Sequence, residues 1–176
     1  LLIAPGARAG GMGEAHVAVS NDAYASYWNP AGLGFLKGTE LALMHVNWLP
    51  GLADDLYYDF FAFRKSYPTL GTIGGHIIFL NLGEQVRTSE TGEELGTFTS
   101  YMSAFSMSYS ALISKNQSFG LSAKISYQHL VEIGAGSEKG KGVSTDFGFD
   151  LGYLHKQWLS ENLTMGLSIS NIGPKV

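Results

Sequence analysis

Between Thr99 and Ser114 the chain alternates between two kinds of side chain. The odd positions are mostly large and apolar, as at Tyr101 and Phe105, whereas the even positions are mostly serine or alanine. A period of two is typical of a β-strand with two unlike faces. A sheet face in contact with water usually carries Lys, Glu and Arg, yet no charged residue occurs from Phe98 to Ser114. We therefore expect the small polar face to line the crowded interior of a barrel and the apolar face to contact lipid.

The same alternation recurs in three later segments, residues 118–131, 142–155 and 163–172. The charges in the middle of these segments all fall on the small polar face, namely Lys124, Asp146 and Asp150. A transmembrane β-barrel requires this phase, because an Arg or Lys side chain at the lipid midplane costs about 2–4 kcal/mol. The pattern predicts an all-β fold, a transmembrane antiparallel β-barrel. A soluble lipocalin-like barrel is the alternative.

Residues 1–38 lack the alternation and are rich in Gly and Ala. They predict an N-terminal plug with one short helix, Ala23–Trp28, which Asp22 caps and which ends before Pro30. The remainder, residues 39–176, is predicted to be a partial barrel of about seven strands. These strands are 39–49, 55–65, 70–82, 97–114, 118–131, 142–155 and 163–172.

Seven is an unusual count, because bacterial single-chain barrels generally have an even number of strands. We expect the chain to hold the first half of a barrel of about fourteen strands, or to close with another partner. The connections Leu82–Gly96 and Val131–Lys141 are long and charged, which is typical of outer loops. Several aromatic residues near strand ends are expected at the membrane interface: Trp48, Tyr57, Tyr67, Phe119 and Trp158.

Composition argues against several classes of function. Charged residues make up 15% of the chain, against about 25% in soluble domains, and the net charge of −4 argues against nucleic-acid binding. There is no cysteine, and the five histidines show no metal-ligand spacing. The glycine-rich segment Arg8–Glu14 lacks the Gly-Lys-Ser/Thr ending of a phosphate-binding loop. We expect no catalytic residue, no metal and no cofactor.

The N-terminal sequence resembles a known family. Leu2-Ile-Ala-Pro-Gly-Ala-Arg-Ala-Gly-Gly-Met-Gly-Glu-Ala, followed by Asp22-Ala-Tyr-Ala-Ser-Tyr-Trp-Asn-Pro-Ala-Gly-Leu, is similar to the start of mature PorV/PorQ-type proteins. These belong to the wider group of FadL-like outer-membrane barrels, the long-chain fatty-acid transporters. The tetrapeptide Asn29-Pro30-Ala31-Gly32 looks like the Asn-Pro-Ala element of that group's N-terminal hatch. It is therefore a candidate binding motif of the plug.

The resemblance implies a fourteen-stranded barrel in the bacterial outer membrane, with an N-terminal plug and with lipid around its wall. It implies an accessory role in type IX secretion, with secreted cargo proteins and other secretion components as partners. FadL-like transport of hydrophobic small molecules is the alternative function. A soluble β-rich binding domain is a third hypothesis, which predicts Ser faces in contact with water.

Two groups of charges are candidate sites. If strands 118–131 and 142–155 pair with Val131 opposite Val143, Lys124 lies opposite Asp150 and Asp146 faces Gln128. This lumen patch either anchors the plug or braces the wall. In the loop 83–96, four acidic residues are a candidate contact with basic partners, or simply keep the loop solvated: Glu84, Glu90, Glu93 and Glu94.

Asp59 lies in an aromatic segment whose two faces are both apolar, Tyr57–Phe63. One of these faces must meet either the plug or a hydrophobic channel.

Overall fold

The computed structural model describes residues 3–51, 53–89, 91–131 and 142–174. Two short α-helices and a 3-10 helix precede the strands: α1 (Ala7–Gly11), α2 (Ala25–Trp28) and the 3-10 helix Pro30–Phe35. Seven strands follow: β1 (Thr39–Asn47), β2 (Leu56–Tyr67), β3 (Gly71–Thr88), β4 (Glu94–Leu112), β5 (Gln117–Val131), β6 (Gly142–His155) and β7 (Met165–Ile172). They form one antiparallel sheet in chain order. The predicted all-β architecture and the number of strands are confirmed.

The sheet has the two faces that the alternation predicts. Phe105 and Phe149 on the apolar face are 43% and 56% exposed. Ser108 on the other face is 3% exposed, and Ser122 beside it is fully buried. Side chains of successive strand residues point to opposite faces. Assigning odd and even positions the wrong way round would therefore have exchanged the two faces along every strand.

The predicted long loop 82–96 is wrong. β3 continues to Thr88 and β4 begins at Glu94, so the two strands form one extended hairpin. Gly83 has a φ of 74° and lies where the pairing shifts between Asn81 and Glu84. A glycine at positive φ is typical of a bulge as well as of a loop, and here the strand continues beyond it. Glu90 and residues 132–141 of the second predicted loop lie outside the described residues.

The N-terminal segment packs on the buried face of the sheet. Tyr24 stacks on Phe60 with ring centroids 5.1 Å apart, and the Tyr58 hydroxyl donates a hydrogen bond to the Ile3 carbonyl. Tyr58 and Phe60 are therefore the aromatic face that meets the plug. Asp59 points to the opposite face, where its carboxylate lies 2.6 Å from His45 Nδ1.

The helix of this segment is shorter than predicted. α2 begins at Ala25, and the residue before its first turn, Tyr24, makes no side-chain cap. Asp22 instead accepts a hydrogen bond from the Tyr24 N–H, two residues ahead, in a turn that precedes the helix. No helix among the described residues is long and apolar enough to cross a bilayer.

Candidate functional site

The Asn-Pro-Ala-Gly element lies where the plug meets the strands, and Asn29 is its centre. The Asn29 amide donates to the carbonyls of Val17, at 3.0 Å, and Tyr153, at 3.2 Å. Its side-chain oxygen accepts from the Ala31 N–H and so caps the 3-10 helix. Because Asn29 is fully buried, this one side chain joins the plug loop, the 3-10 helix and strand β6.

Small residues on the wall make room for this element. A Cβ at Gly120 would overlap the backbone of Pro30, and a Cβ at Gly152 would overlap the Asn29 side-chain oxygen. A Cβ at Gly32 would overlap the Ser20 carbonyl within the plug. Here glycine is required by close approach of two backbones. The small polar face of the strands is thus the surface that receives the plug.

Serine hydroxyls complete the contact between plug and wall. Ser110 Oγ lies 3.3 Å from the Ala31 carbonyl, and Ser118 Oγ lies 3.1 Å from Ser110 Oγ. Ser110 and Ser118 are both fully buried. A buried hydroxyl without a partner is costly. Ser110 therefore has a partner in the buried Ala31 carbonyl of the plug, while Ser118 donates to the Ala111 carbonyl of β4.

Aromatic rings hold α2 against strands β2 and β3. Tyr27 contacts both Phe60 and His76 edge-on, and His76 stacks on Phe60 with centroids 5.4 Å apart. The Ser26 hydroxyl donates to the Ala23 carbonyl, so it accepts from His76 Nδ1 at 3.1 Å. These contacts explain why the inner face of β2 is aromatic. From sequence alone, that face could contact either the plug or a hydrophobic channel.

Lys124 and Asp150 form an ion pair on the buried face of the sheet, but the strands pair in a different register from the one predicted. Lys124 Nζ lies 2.7 Å from Asp150 Oδ1. Lys124 nevertheless pairs with Gly148, and Asp150 pairs with Ser122. The pairing is shifted by two residues, because His129 and not Val131 lies opposite Val143. The lysine reaches its partner diagonally across Gly148, where no side chain blocks it.

Asp150 also has a second donor. The backbone N–H of Asn171 donates to Asp150 Oδ1 at 2.8 Å, and this contact lies beside the irregularity in the β6–β7 pairing. A buried carboxylate with an ammonium group and a backbone N–H is well satisfied. The pair therefore joins three neighbouring strands, β5, β6 and β7.

Asp146 does not join this pair. It lies opposite Ser126 rather than Gln128, and it accepts a hydrogen bond from Ser144 at 2.8 Å. Among the described residues it makes no ion pair. The predicted pairing of Asp146 with Gln128 is therefore wrong by two residues.

A cavity of about 260 Å³ separates the plug from this patch. Its lining includes Tyr27, Trp28, His76, Lys124 and Asp150. Sequence analysis missed Tyr27 and His76 as neighbours of the charges. Only His76 carries a sequence signal, since it is a polar residue on the same face of β3 as the apolar Ile78 and Leu80. Burial, followed by the nearby Glu14 and Asp150 charges, raises the pKa of Tyr27 to about 12.

The plug also contains a buried histidine. His16 is almost completely buried, and neither of its ring nitrogens has a hydrogen-bond partner within the described part of the chain. Burial lowers the pKa of His16, and the Asp22 carboxylate at 3.7 Å only partly opposes this effect. The imidazole is thus favoured in its neutral form. No cluster of three or more His, Asp or Glu suited to a metal occurs in the described ranges.

The acidic residues of the β3–β4 hairpin lie in its outer part, with Glu93 and Glu94 at the tip and Glu84 four residues before the end of β3. Glu84 is in β3 and Glu94 begins β4. The Glu84 backbone N–H donates to the Asp55 carboxylate at 2.7 Å, and the Glu93 N–H donates to Ser89 Oγ. All three glutamate side chains are exposed.

The fold and the site together define a class of protein: an antiparallel sheet with an exposed apolar face, whose polar face is covered by an N-terminal plug. The sequence matches the family described as type IX secretion system protein PorV over residues 1–176, and the chain belongs to this family. No curated protein matches the chain. The wider FadL-like grouping stays a prediction.

Proposed function

We propose that this chain forms part of a β-barrel in the bacterial outer membrane and acts in type IX secretion as an accessory of protein export or surface delivery. The PorV family membership supports the secretion role. The observation that carries the membrane placement is the exposed apolar face of the sheet. Soluble proteins rarely expose apolar patches larger than a few hundred Å², and here such residues extend over all seven strands.

Aromatic rows bound this apolar face. Near the β3–β4 hairpin tip, Tyr57, Phe79, Tyr101 and Tyr127 form a row with neighbouring centroids 5.8–6.0 Å apart. Tyr109 lies on the same face at the other end of β4, eight residues from Tyr101. Eight residues span about 27 Å along a strand, or about 21 Å across a bilayer at a tilt of ~40°. This height is close to the ~25 Å apolar band of outer-membrane barrels.

The sheet edges support a larger barrel. Among the described strands, β1 and β7 each pair with one neighbour. Unpaired backbone groups cost several kcal/mol each in lipid, so an open edge is not stable there. We propose that further strands join both edges and that the complete barrel has about fourteen strands.

The role that we propose involves recognition and no chemical step. The plug is fixed to the wall through Asn29, while the acidic hairpin tip projects beyond the aromatic row. Glu84, Glu93 and Glu94 give this tip a negative charge suited to basic segments of cargo. Complementary charge mainly raises the rate and the specificity of such encounters.

FadL-like transport of hydrophobic molecules is the alternative, and the cavity beside the plug is the observation in its favour. However, Lys124 and Asp150 line that cavity with charge. Tyr58 and Phe60 are each only 1% exposed, so the described plug leaves no apolar passage along β2. These contacts favour the secretion role.

The test replaces Glu84, Glu93 and Glu94 with glutamine in the native gene and measures the cargo that reaches the cell surface. We expect surface cargo to fall by about fivefold or more, with barrel abundance unchanged. Glu161→Gln, at the opposite end of the strands, is the matched control. Normal delivery by the triple variant, or an equal loss in the control, would contradict the proposal.

A further inference from the structure

Charge is separated along the strands. Besides Glu161 and the Arg64–Glu40 pair, the end of the sheet with the short turns carries four lysines that make no ion pair with any described carboxylate: Lys37, Lys65, Lys115 and Lys156. We call this group the basic rim. The opposite end carries five carboxylates and one arginine in its described part: Asp54, Asp55, Glu84, Glu93, Glu94 and Arg87. Backbone pairing of the strands does not require this separation of charge, because the hydrogen bonds between strands are the same at both ends of the sheet.

A groove of about 680 Å³ opens at the basic rim. The chain leaving the plug, residues 34–38, forms one wall, and the β2–β3 turn, residues 66–72, forms another. Tyr109, Ala111 and Leu112 complete the lining. Apolar side chains therefore make up much of the groove, while Lys37 supplies a charge within it.

The wall of the groove is fixed by Arg64. Its Nε lies 2.7 Å from Glu40 Oε2, and its Nη1 donates to the Lys37 carbonyl at 3.1 Å. The arginine charge is thus neutralised by Glu40, whereas the Lys37 side chain is exposed. The backbone of Lys37 is held in place, and its ammonium group is left for another partner.

Lys156 supplies a second charge beside the groove. Its Nζ lies 4.2 Å from the ring centroid of Phe35, a groove residue at the end of the 3-10 helix. An ammonium group over an aromatic face is held weakly, by about 0.5–1 kcal/mol at an exposed site. Lys156 can therefore move to a carboxylate at little cost.

We propose that this groove binds a segment of a partner protein in which acidic and apolar side chains alternate. Apolar side chains would fill the groove, and carboxylates would pair with Lys37 and Lys156. Anionic lipid head groups are a less suitable occupant, because both lysines lie beside the end of the plug. Lys65, in contrast, lies over Tyr67 at 5.2 Å on the outward side. The proposed function puts the acidic hairpin outside the cell and therefore the basic rim, at the other end of the strands, at the inner side of the membrane. Binding to the groove does not depend on this orientation.

The test uses the complete barrel that contains this chain, purified in detergent, and a fluorescein-labelled decapeptide of alternating glutamate and leucine. Fluorescence anisotropy is expected to show binding that weakens with added salt. The double variant Lys37→Glu and Lys156→Glu should bind about tenfold or more weakly, because two attractive charges become repulsive. The matched control Lys65→Glu should stay within about twofold of the unmodified chain.

Three results would overturn the proposal. The first is no binding of the peptide to the unmodified chain, and the second is an equal loss in the Lys65→Glu control. The third is that the double variant keeps peptide binding but loses affinity for phosphatidylglycerol vesicles, which identifies a lipid surface instead. None of these results affects the membrane placement, which reconstitution into neutral vesicles tests separately.

Discussion

Lys124 Nζ lies 2.7 Å from Asp150 Oδ1 although the two residues are not opposite each other in the sheet. The ammonium group crosses Gly148 to reach a carboxylate that is only 2% exposed. Because Asp150 also accepts the Asn171 N–H, the pair links three strands on the inner face. The contribution of this ion pair to stability can be measured by comparison with the nearby Asp146, which has no lysine partner among the described residues.

We expect Asp150→Asn to lower the free energy of unfolding by about 1–3 kcal/mol, because it leaves the partly buried Lys124 ammonium without a counter-charge. The measurement is urea unfolding in detergent, followed by tryptophan fluorescence. Asp146→Asn is the matched control and should change stability by less than about 0.5 kcal/mol. Equal effects of the two variants would contradict the assignment.

Gly152→Ala should displace the plug, because the new methyl group overlaps the Asn29 side-chain oxygen. Overpacking of this kind costs about 1–3 kcal/mol. The expected result is faster proteolysis within the plug, while the strands stay protected. Gly148→Ala is the control, since the nearest atoms to its methyl group are Lys124 side-chain carbons at 3.4–3.5 Å and the Asn171 Cα at 3.9 Å, none of which belongs to the plug. If both variants are cleaved equally fast, the close approach at Gly152 does not hold the plug.

The two faces of the sheet were predictable from sequence, whereas the register was not. Alternation fixes which side chains share a face, and Phe105 and Ser108 lie as expected. The register of β5 and β6 places His129 and not Val131 opposite Val143, and no local pattern indicates which of the two alignments forms. The loop predicted at 82–96 is wrong for a related reason. A glycine next to charged residues, such as Gly83, is typical of both a loop and a bulge.

The candidate site was predictable only in part. The Asn-Pro-Ala-Gly element was found through its resemblance to a family, and its contacts follow from the fold alone. Asn29 reaches the Tyr153 carbonyl across 124 residues of sequence, a distance over which local propensities carry no information. His76 and Tyr27 were missed because their proximity to Lys124 depends on how the plug packs.

Asn29→Asp should destabilise the plug by about 2–4 kcal/mol. The substitution keeps the shape of the side chain but replaces the amide donor with an oxygen facing the Val17 and Tyr153 carbonyls. Leaving buried acceptors unsatisfied and adding a buried charge both oppose folding. Urea unfolding and proteolysis of the plug are the measurements. Asn116→Asp tests the same chemical change at an amide whose partner is the exposed Gln157, and there we expect little effect.

The stability of the plug should depend on pH through His16. Burial lowers the pKa of His16 in the folded state below its ordinary value of 6.5. The unfolded chain therefore binds a proton at higher pH than the folded chain does. As pH falls below about 6.5, stability decreases until the lower, folded-state pKa is reached.

The measurement is unfolding of the plug between about pH 8 and pH 5, compared with the His16→Phe variant. Stability of the His16→Phe variant should depend less on pH than that of the unmodified chain. The control variant His155→Gln should keep the full pH dependence. A variant curve parallel to that of the unmodified chain over this range would exclude His16 as the origin.

The membrane placement leads to a prediction for the outer face. Phe105→Lys puts a charge in the middle of the apolar band, where lysine costs about 2–4 kcal/mol in a bilayer. The measurement is detergent-free folding of the complete barrel that contains this chain into lipid vesicles, where we expect a lower yield and an unfolding free energy reduced by that amount. Phe105→Leu keeps the surface apolar and should behave like the unmodified chain within about 1 kcal/mol. If the lysine variant instead folds equally well, and more of it dissolves without lipid, the apolar face contacts water or protein and not acyl chains.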